Sequence, residues 1–292
     1  MRVLGLVLIA LAACGGGGAA VAPEEPAPRA GDSPFADRRD FEPKAFGVEV
    51  RGEGPPILFI PGLGSPGLVW AETVRRLEDR YECHVLTLSG FAGRPPISEQ
   101  LSAAVRRDLV RYIRSRRLRD PAVVGHSMGG FIALWLAVAS PANTGPVIIV
   151  DAGPALSGDL AEARTLRERW VQASDEELAR RARSMYAGMA SDPKRLAAIS
   201  ALAAKSDRRT IGDAIYEMMI TNLTDRMPEI RSPVLFLLAD GPLQHRIRRQ
   251  AAGVPDKAIV VVPRARHFVM IDAPDRFAEE LEAFLDEHPP GR

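Results

Sequence analysis

Cysteine is almost missing from this chain, with only Cys14 and Cys83 among 292 residues. Two thiols cannot build a disulfide framework, and Cys83, inside the apolar run 83–88, reads as a buried free thiol and not a nucleophile. A large charge of either sign is missing too. The net charge is +1 and the basic residues are interleaved with acids, so the concentrated basic surface that nucleic-acid binding needs is not there. No apolar run is long enough to span a bilayer; the N-terminal one covers only residues 3–13. The five histidines are scattered and no Cys/His/Asp group has ligand spacing, so neither a metal site nor a cofactor is expected. What is present is ordinary globular composition, 46% hydrophobic and 26% charged, enough for one core domain with an insertion.

The first residues differ in kind. Arg2 precedes the apolar run 3–13, and Leu11-Ala12-Ala13-Cys14 follows. This stretch resembles a bacterial lipobox. The resemblance implies a signal peptide, residues 1–13, cleaved before Cys14, whose thiol would carry a diacylglycerol and fix the protein to a membrane. A plain secretory signal with a chance cysteine is the other reading. Residues 15–34 hold four consecutive glycines and then alternating Ala, Pro and Glu. With almost nothing to bury, residues 14–45 read as a flexible tether that lets the domain range roughly 30 Å from the anchor. Gly15 stands where an Asp usually retains such lipoproteins in the inner membrane of Gram-negative bacteria. The implied location is the bacterial cell envelope, with the outer membrane favoured.

From residue 46 to 288, short apolar runs alternate with longer amphipathic segments. The runs 46–51, 57–60, 84–88, 122–124, 147–150, 234–238 and 259–262 are strand candidates; 67–79, 98–116, 128–139, 243–252 and 275–287 have helical patterns. This alternation predicts an α/β fold with a mostly parallel sheet covered by helices on both faces. Between about 155 and 228 the alternation stops, and helical segments rich in Arg, Ala, Met and Glu form an insertion. Trp170, Tyr186 and several methionines in it could line an apolar pocket or simply pack its helices together.

The motif that carries chemistry is Gly125-His126-Ser127-Met128-Gly129, placed between the strand 122–124 and the helix 128–139. A serine on a tight strand-to-helix turn projects its Oγ above the sheet, and glycines two before and two after it let strand and helix approach closely. The free N–H groups at the helix start, Met128 first, point at the reacting centre and suit an oxyanion. A serine needs a base. Of the five histidines, His84 opens a strand, His126 lies inside the turn, His245 is in a helix and His288 is in the tail. That leaves His267, which follows the last strand by a short loop and precedes the last helix.

These features in this order resemble the α/β-hydrolase superfamily over roughly residues 46–288. The resemblance implies an α/β-hydrolase fold with a helical cap at about 155–228. It implies a serine hydrolase with Ser127 as nucleophile and His267 as base, acting on carboxylic esters or related small acyl substrates through an acyl-enzyme. The second oxyanion donor is expected in the loop Pro61-Gly62-Leu63-Gly64, giving the backbone N–H groups of Leu63 and Met128 as the pair. The orienting acid is ambiguous. The usual Gly-x-x-Asp after the strand that follows the cap is missing, Pro242 standing in the expected place; Asp240 lies about two residues early, and Asp151 ends the preceding strand. Asp151 is the assignment taken, with Asp240 as the alternative. Gly90-Phe91-Ala92-Gly93 and Tyr216-Glu217-Met218-Met219 resemble segments of one bacterial subgroup that tends to lack the late acid. The competing function is a catalytically silent relative that binds a ligand or partner at the envelope.

Overall fold

Short runs of Val, Ile and Leu have no polar face to turn outward, so they belong in the middle of a sheet covered on both sides. The computed structural model, which describes residues 41–156 and 158–291, places them there. Among the described residues seven strands, β1 (Phe46–Arg51), β2 (Pro56–Ile60), β3 (Glu82–Leu88), β4 (Ala122–His126), β5 (Val147–Val150), β6 (Val234–Ala239) and β7 (Lys257–Val262), form one sheet in the order β1-β3-β2-β4-β5-β6-β7. β1 runs antiparallel to β3 and every other pair is parallel. All residues of β4, β5 and β6 are buried, while β1 and β7 become exposed along the edges. Each strand expected from the sequence is present.

Among the described residues ten helices connect and cover them: α1 (Ala71–Leu77), α2 (Leu101–Arg116), α3 (Met128–Ala139), α4 (Leu160–Val171), α5 (Asp175–Ala187), α6 (Ala197–Ala203), α7 (Arg208–Ile220), α8 (Leu243–Gln250), α9 (Val269–Asp272) and α10 (Pro274–Glu287). Alternate strand residues feed two cores. Leu58, Ile60, Val123, Ile149 and Phe236 face α2 and α3, and Ile57, Phe59, Val124, Ile148 and Leu235 face α1 and α10. Truncating a side chain such as the fully buried Phe59 to Ala would cost about 3–5 kcal/mol. α3 packs on β4 and β5 and is buried from Met128 to Val138, which explains its apolar character on all sides.

Two helix expectations need correction. The segment 67–79 is broken into a 3₁₀ turn, Gly67–Trp70, and α1. Position 67 admits only glycine, because a Cβ there would lie 2.8 Å from the Leu86 carbonyl oxygen. The helix expected from 98 begins at Leu101, and its first N–H groups are held from a distance: Glu217 on α7 accepts from Ser102 N at 2.8 Å and Ala103 N at 3.1 Å.

Between β5 and β6 the described residues contain α4 to α7, 3₁₀ turns, and one isolated antiparallel bridge pairing Ala155 with Asn222. No helix among the described residues is long and apolar enough to cross a membrane. The expected signal peptide, Cys14 and most of the tether lie outside the described residues.

Candidate active site

The chain leaves β2 for β3 on one side and leaves β4 for β5 on the other. Connections that diverge at adjacent parallel strands open a crevice at their carboxyl ends, which is where α/β sheets bind ligands. The loop after β2 and the turn after β4 are the 61–65 segment and Ser127.

Ser127 joins β4 to α3 with φ 53° and ψ −119°, a backbone state that residues with a Cβ rarely adopt. The ladder and the helix enforce it: Ser127 N donates to Val150 O at 2.9 Å, and Ser127 O accepts from Phe131 N at 3.0 Å. The flanking glycines are demanded by contact. A Cβ on Gly125 would lie 2.2 Å from Gly129 O, and one on Gly129 would lie 2.2 Å from Ile60 O. Gly62 packs on the same turn, a Cβ there meeting Ser127 Cβ at 3.2 Å. Met128 opens α3, so its N–H is one of the helix's unpaired first donors. Leu63 lies in a turn closed by Ser65 N donating to Gly62 O at 3.0 Å, with Gly64 at φ 69°. Ser127, Leu63, Met128 and His267 line one cavity of about 70 Å³.

The histidine has a carboxylate partner. His267 Nδ1 lies 2.7 Å from Asp151 Oδ2, and Asp151 Oδ1 accepts from Ala239 N at 3.0 Å. Asp151 is itself buried, at φ 45°, and its N–H donates to Leu237 O at 2.9 Å, so β6 holds both its backbone and its side chain. An aspartate so placed fixes the Nδ1–H tautomer and leaves Nε2 as the basic nitrogen. Asp240 is exposed and accepts from Gln244 at 3.4 Å. Of the two acids open in the sequence, the structure therefore pairs Asp151 with His267.

His126, which the sequence places inside the turn and not as the base, is part of the site's frame. Its ring lies 4.6 Å from those of His267 and Phe268, and Nε2 donates to the His267 carbonyl at 2.9 Å. That acceptor assigns the Nε2–H tautomer. Burial, with the neighbouring His267 second, holds its pKa well below the usual imidazole range, so it stays neutral beside His267. Its place inside the serine motif was the only sequence signal. Tyr186, on α5, is a pocket or packing residue by its sequence pattern alone; it is buried and bonded to the 61–65 loop, a contact no local pattern signals.

A larger cavity of about 550 Å³ lies under α4, α5 and α7 and shares Leu63, Asp151, Met185, Met218 and His267 with the smaller one. Trp170, Leu166, Ile215 and Met219 make its walls mostly apolar, with Arg169, Arg181, Arg266 and Asp240 also on the lining. Cys83 is buried and its thiol pKa is pushed up to about 12, first by burial and then by Glu78 and Glu82, so it is chemically silent at neutral pH. Among the described residues no group of three or more His, Cys, Asp and Glu could hold a metal ion.

The chain is similar to a pimeloyl-[acyl-carrier protein] methyl ester esterase of Aliivibrio fischeri (strain MJ11), with 24% identity over 261 residues, covering 82% of this chain and 97% of the relative. Among solved structures it resembles the enol-lactonase from Burkholderia xenovorans LB400, with TM-score 0.74 and 18% identity over 82% of this chain and 96% of that one. It also resembles a thermophilic esterase from Thermogutta terrifontis, with TM-score 0.74 and 20% identity over 83% of this chain and 93% of that one. At these identities the structural likenesses establish the fold. The Alpha/beta hydrolase family model matches residues 57–280, which contain the serine turn, the acid and the histidine, and the chain belongs to that family.

Proposed function

We propose that the protein is a serine hydrolase that cleaves carboxylic esters or related acyl substrates through a covalent acyl-enzyme. The observation that carries this reading is the 2.7 Å Asp151–His267 contact in the cavity that also holds Ser127. In the proposed cycle Ser127 Oγ attacks the acyl carbon as its proton passes to His267 Nε2. Asp151 stabilises the imidazolium, and the N–H groups of Leu63 and Met128 hold the oxyanion, each contributing about 3 kcal/mol. Collapse expels the alcohol, which takes the proton from His267. Water, activated by the same nitrogen, then releases the acid and restores the serine. The names of the relatives, an ester esterase, a lactonase and an esterase, support acyl–oxygen cleavage. The mostly apolar cavity under α4, α5 and α7 supports an acyl substrate, with that helical cap setting its identity.

Labelling with a fluorophosphonate tests the reading, because only an activated serine reacts. Labelling of wild type and none of Ser127→Ala is the expected result. No labelling of folded wild-type protein would overturn it in favour of a ligand-binding relative, and a series of p-nitrophenyl esters then ranks acyl chains. The leader 1–13 and Cys14 support a lipid-anchored location in the cell envelope. Incorporation of labelled palmitate, lost in Cys14→Ala, checks it.

A further inference from the structure

The 61–65 loop is held from outside the sheet. Tyr186 Oη donates to the Leu63 carbonyl at 3.1 Å and lies 2.8 Å from Ser65 Oγ. With its single proton given to Leu63, the tyrosine must accept from Ser65. Ser206, just before α7, donates to Gly64 O at 3.4 Å and accepts from Ala92 N at 3.0 Å. Three consecutive residues of the loop are therefore tied to the helices inserted between β5 and β6.

The same end of α5 also grips the histidine loop. The Tyr186 ring packs on Phe268 with centroids 5.4 Å apart, and Phe268 N donates to Met189 O at 3.3 Å. Ser191 donates through N at 2.9 Å and Oγ at 2.7 Å to Asp272 Oδ1, while Asp272 Oδ2 accepts from Arg266 N at 2.8 Å. Residues 186–191 thus staple the loop bearing Leu63 to the loop bearing His267.

We infer that Tyr186 is a positioning residue for the oxyanion donor, so the helical insertion completes the catalytic centre as well as covering it. Leu63 offers its N–H to the site and its carbonyl to Tyr186; the hydroxyl holds the peptide that follows Leu63, and Ser65 N, donating to Gly62 O at 3.0 Å, holds the peptide that carries the N–H, so the residue is gripped on both sides and the N–H direction is set by the two together. The phenol is buried, and burial raises its pKa, so it remains a neutral donor throughout the working pH range. This inference rests on the hydrolase reading given above.

The experiment compares wild type, Tyr186→Phe and Ser65→Ala in p-nitrophenyl ester hydrolysis and in inhibition by a trifluoromethyl ketone and its secondary alcohol. The ketone takes Ser127 Oγ at its carbonyl carbon, the C=O pair moves onto oxygen, and the serine proton goes to His267, so it samples the oxyanion site. The alcohol fills the same space without adding. Tyr186→Phe should lower kcat about tenfold with KM held within about twofold, and weaken the ketone by a similar factor while leaving the alcohol alone. Ser65→Ala should show the same pattern more weakly, and it carries the test alone if Tyr186→Phe does not fold. Unchanged kcat and ketone affinity, or equal weakening of ketone and alcohol, overturns the inference. If wild type neither hydrolyses esters nor labels with fluorophosphonate, it is the hydrolase reading that has failed.

Discussion

Replacing Asp151 by Asn keeps the shape of the site and changes one proton. The side chain is buried and each oxygen has one partner: Oδ1 takes the Ala239 N–H at 3.0 Å and Oδ2 faces His267 Nδ1 at 2.7 Å. Ala239 can only donate, so an asparagine must place its oxygen there and turn its NH₂ toward His267. A donor facing Nδ1 forces the proton onto Nε2, the nitrogen that should receive the serine proton, and no carboxylate remains to stabilise the imidazolium. In a serine protease the same exchange lowered kcat about 10⁴-fold, and that order is expected here, equivalent to roughly 5.5 kcal/mol of transition-state stabilisation. Since the volume and both contacts survive, unfolding free energy should move by less than about 1 kcal/mol. The assay is hydrolysis of a p-nitrophenyl ester together with the rate of fluorophosphonate labelling, run beside Asp240→Asn, whose exposed carboxylate predicts full activity. An Asp151→Asn enzyme keeping a tenth of its kcat, or a collapse in Asp240→Asn instead, refutes the assignment.

Gly125→Ala should fold poorly or lose at least about 2 kcal/mol, since its Cβ would meet Gly129 O, Gly129 C and Gly130 N at 2.2–2.6 Å, all backbone; thermal unfolding with an unchanged midpoint counts against this. His126 predicts an acid-side loss of stability. Its folded pKa is depressed, so below about pH 6.5 only the unfolded chain takes the proton and up to about 1.4 kcal/mol is lost per pH unit until the folded value is reached. Denaturant titrations between pH 7 and 5 should show a shallower slope for His126→Asn than for wild type, and parallel slopes contradict the account; His84, also held low by burial, contributes equally to both proteins. Native protein at pH 8 should resist iodoacetamide at Cys83, which reacts only after denaturation, and rapid native alkylation would show the thiol is not held as described.

Strands were legible because Val-Ile-Ile-Val and Val-Leu-Phe-Leu-Leu-Ala fit nowhere but a covered sheet, and Ser127 because two glycines flank it for reasons of contact alone. The choice between Asp151 and Asp240 was not local. β5 and β6 are neighbours, so both aspartates end adjacent strands, and the choice is made by the turn at Asp151 and by the Ala239 N–H that holds its carboxylate. The start of α2 was misread because its cap, Glu217, is 115 residues away in sequence. The parts of His126 and Tyr186 rest on contacts spanning 141 and 123 residues, which no pattern in one segment records.

The single bridge between Ala155 and Asn222 sets a rule for remodelling this protein. With Leu223 N also bonded to Pro154 O at 3.0 Å, the segment between β5 and β6 leaves and re-enters through one zipped stem, like a hairpin whose loop is four helices long. Such a stem isolates the sheet from changes of length beyond it, so helices can be exchanged there without shifting strand register. The exchange is not free, because residues 186–191 return to the two loops at the centre. A graft that keeps the stem, those six positions, Ser206 at the 61–65 loop and Glu217 at the start of α2 should keep the chemistry while changing what the cavity admits; one that keeps only the stem should be slow and less stable.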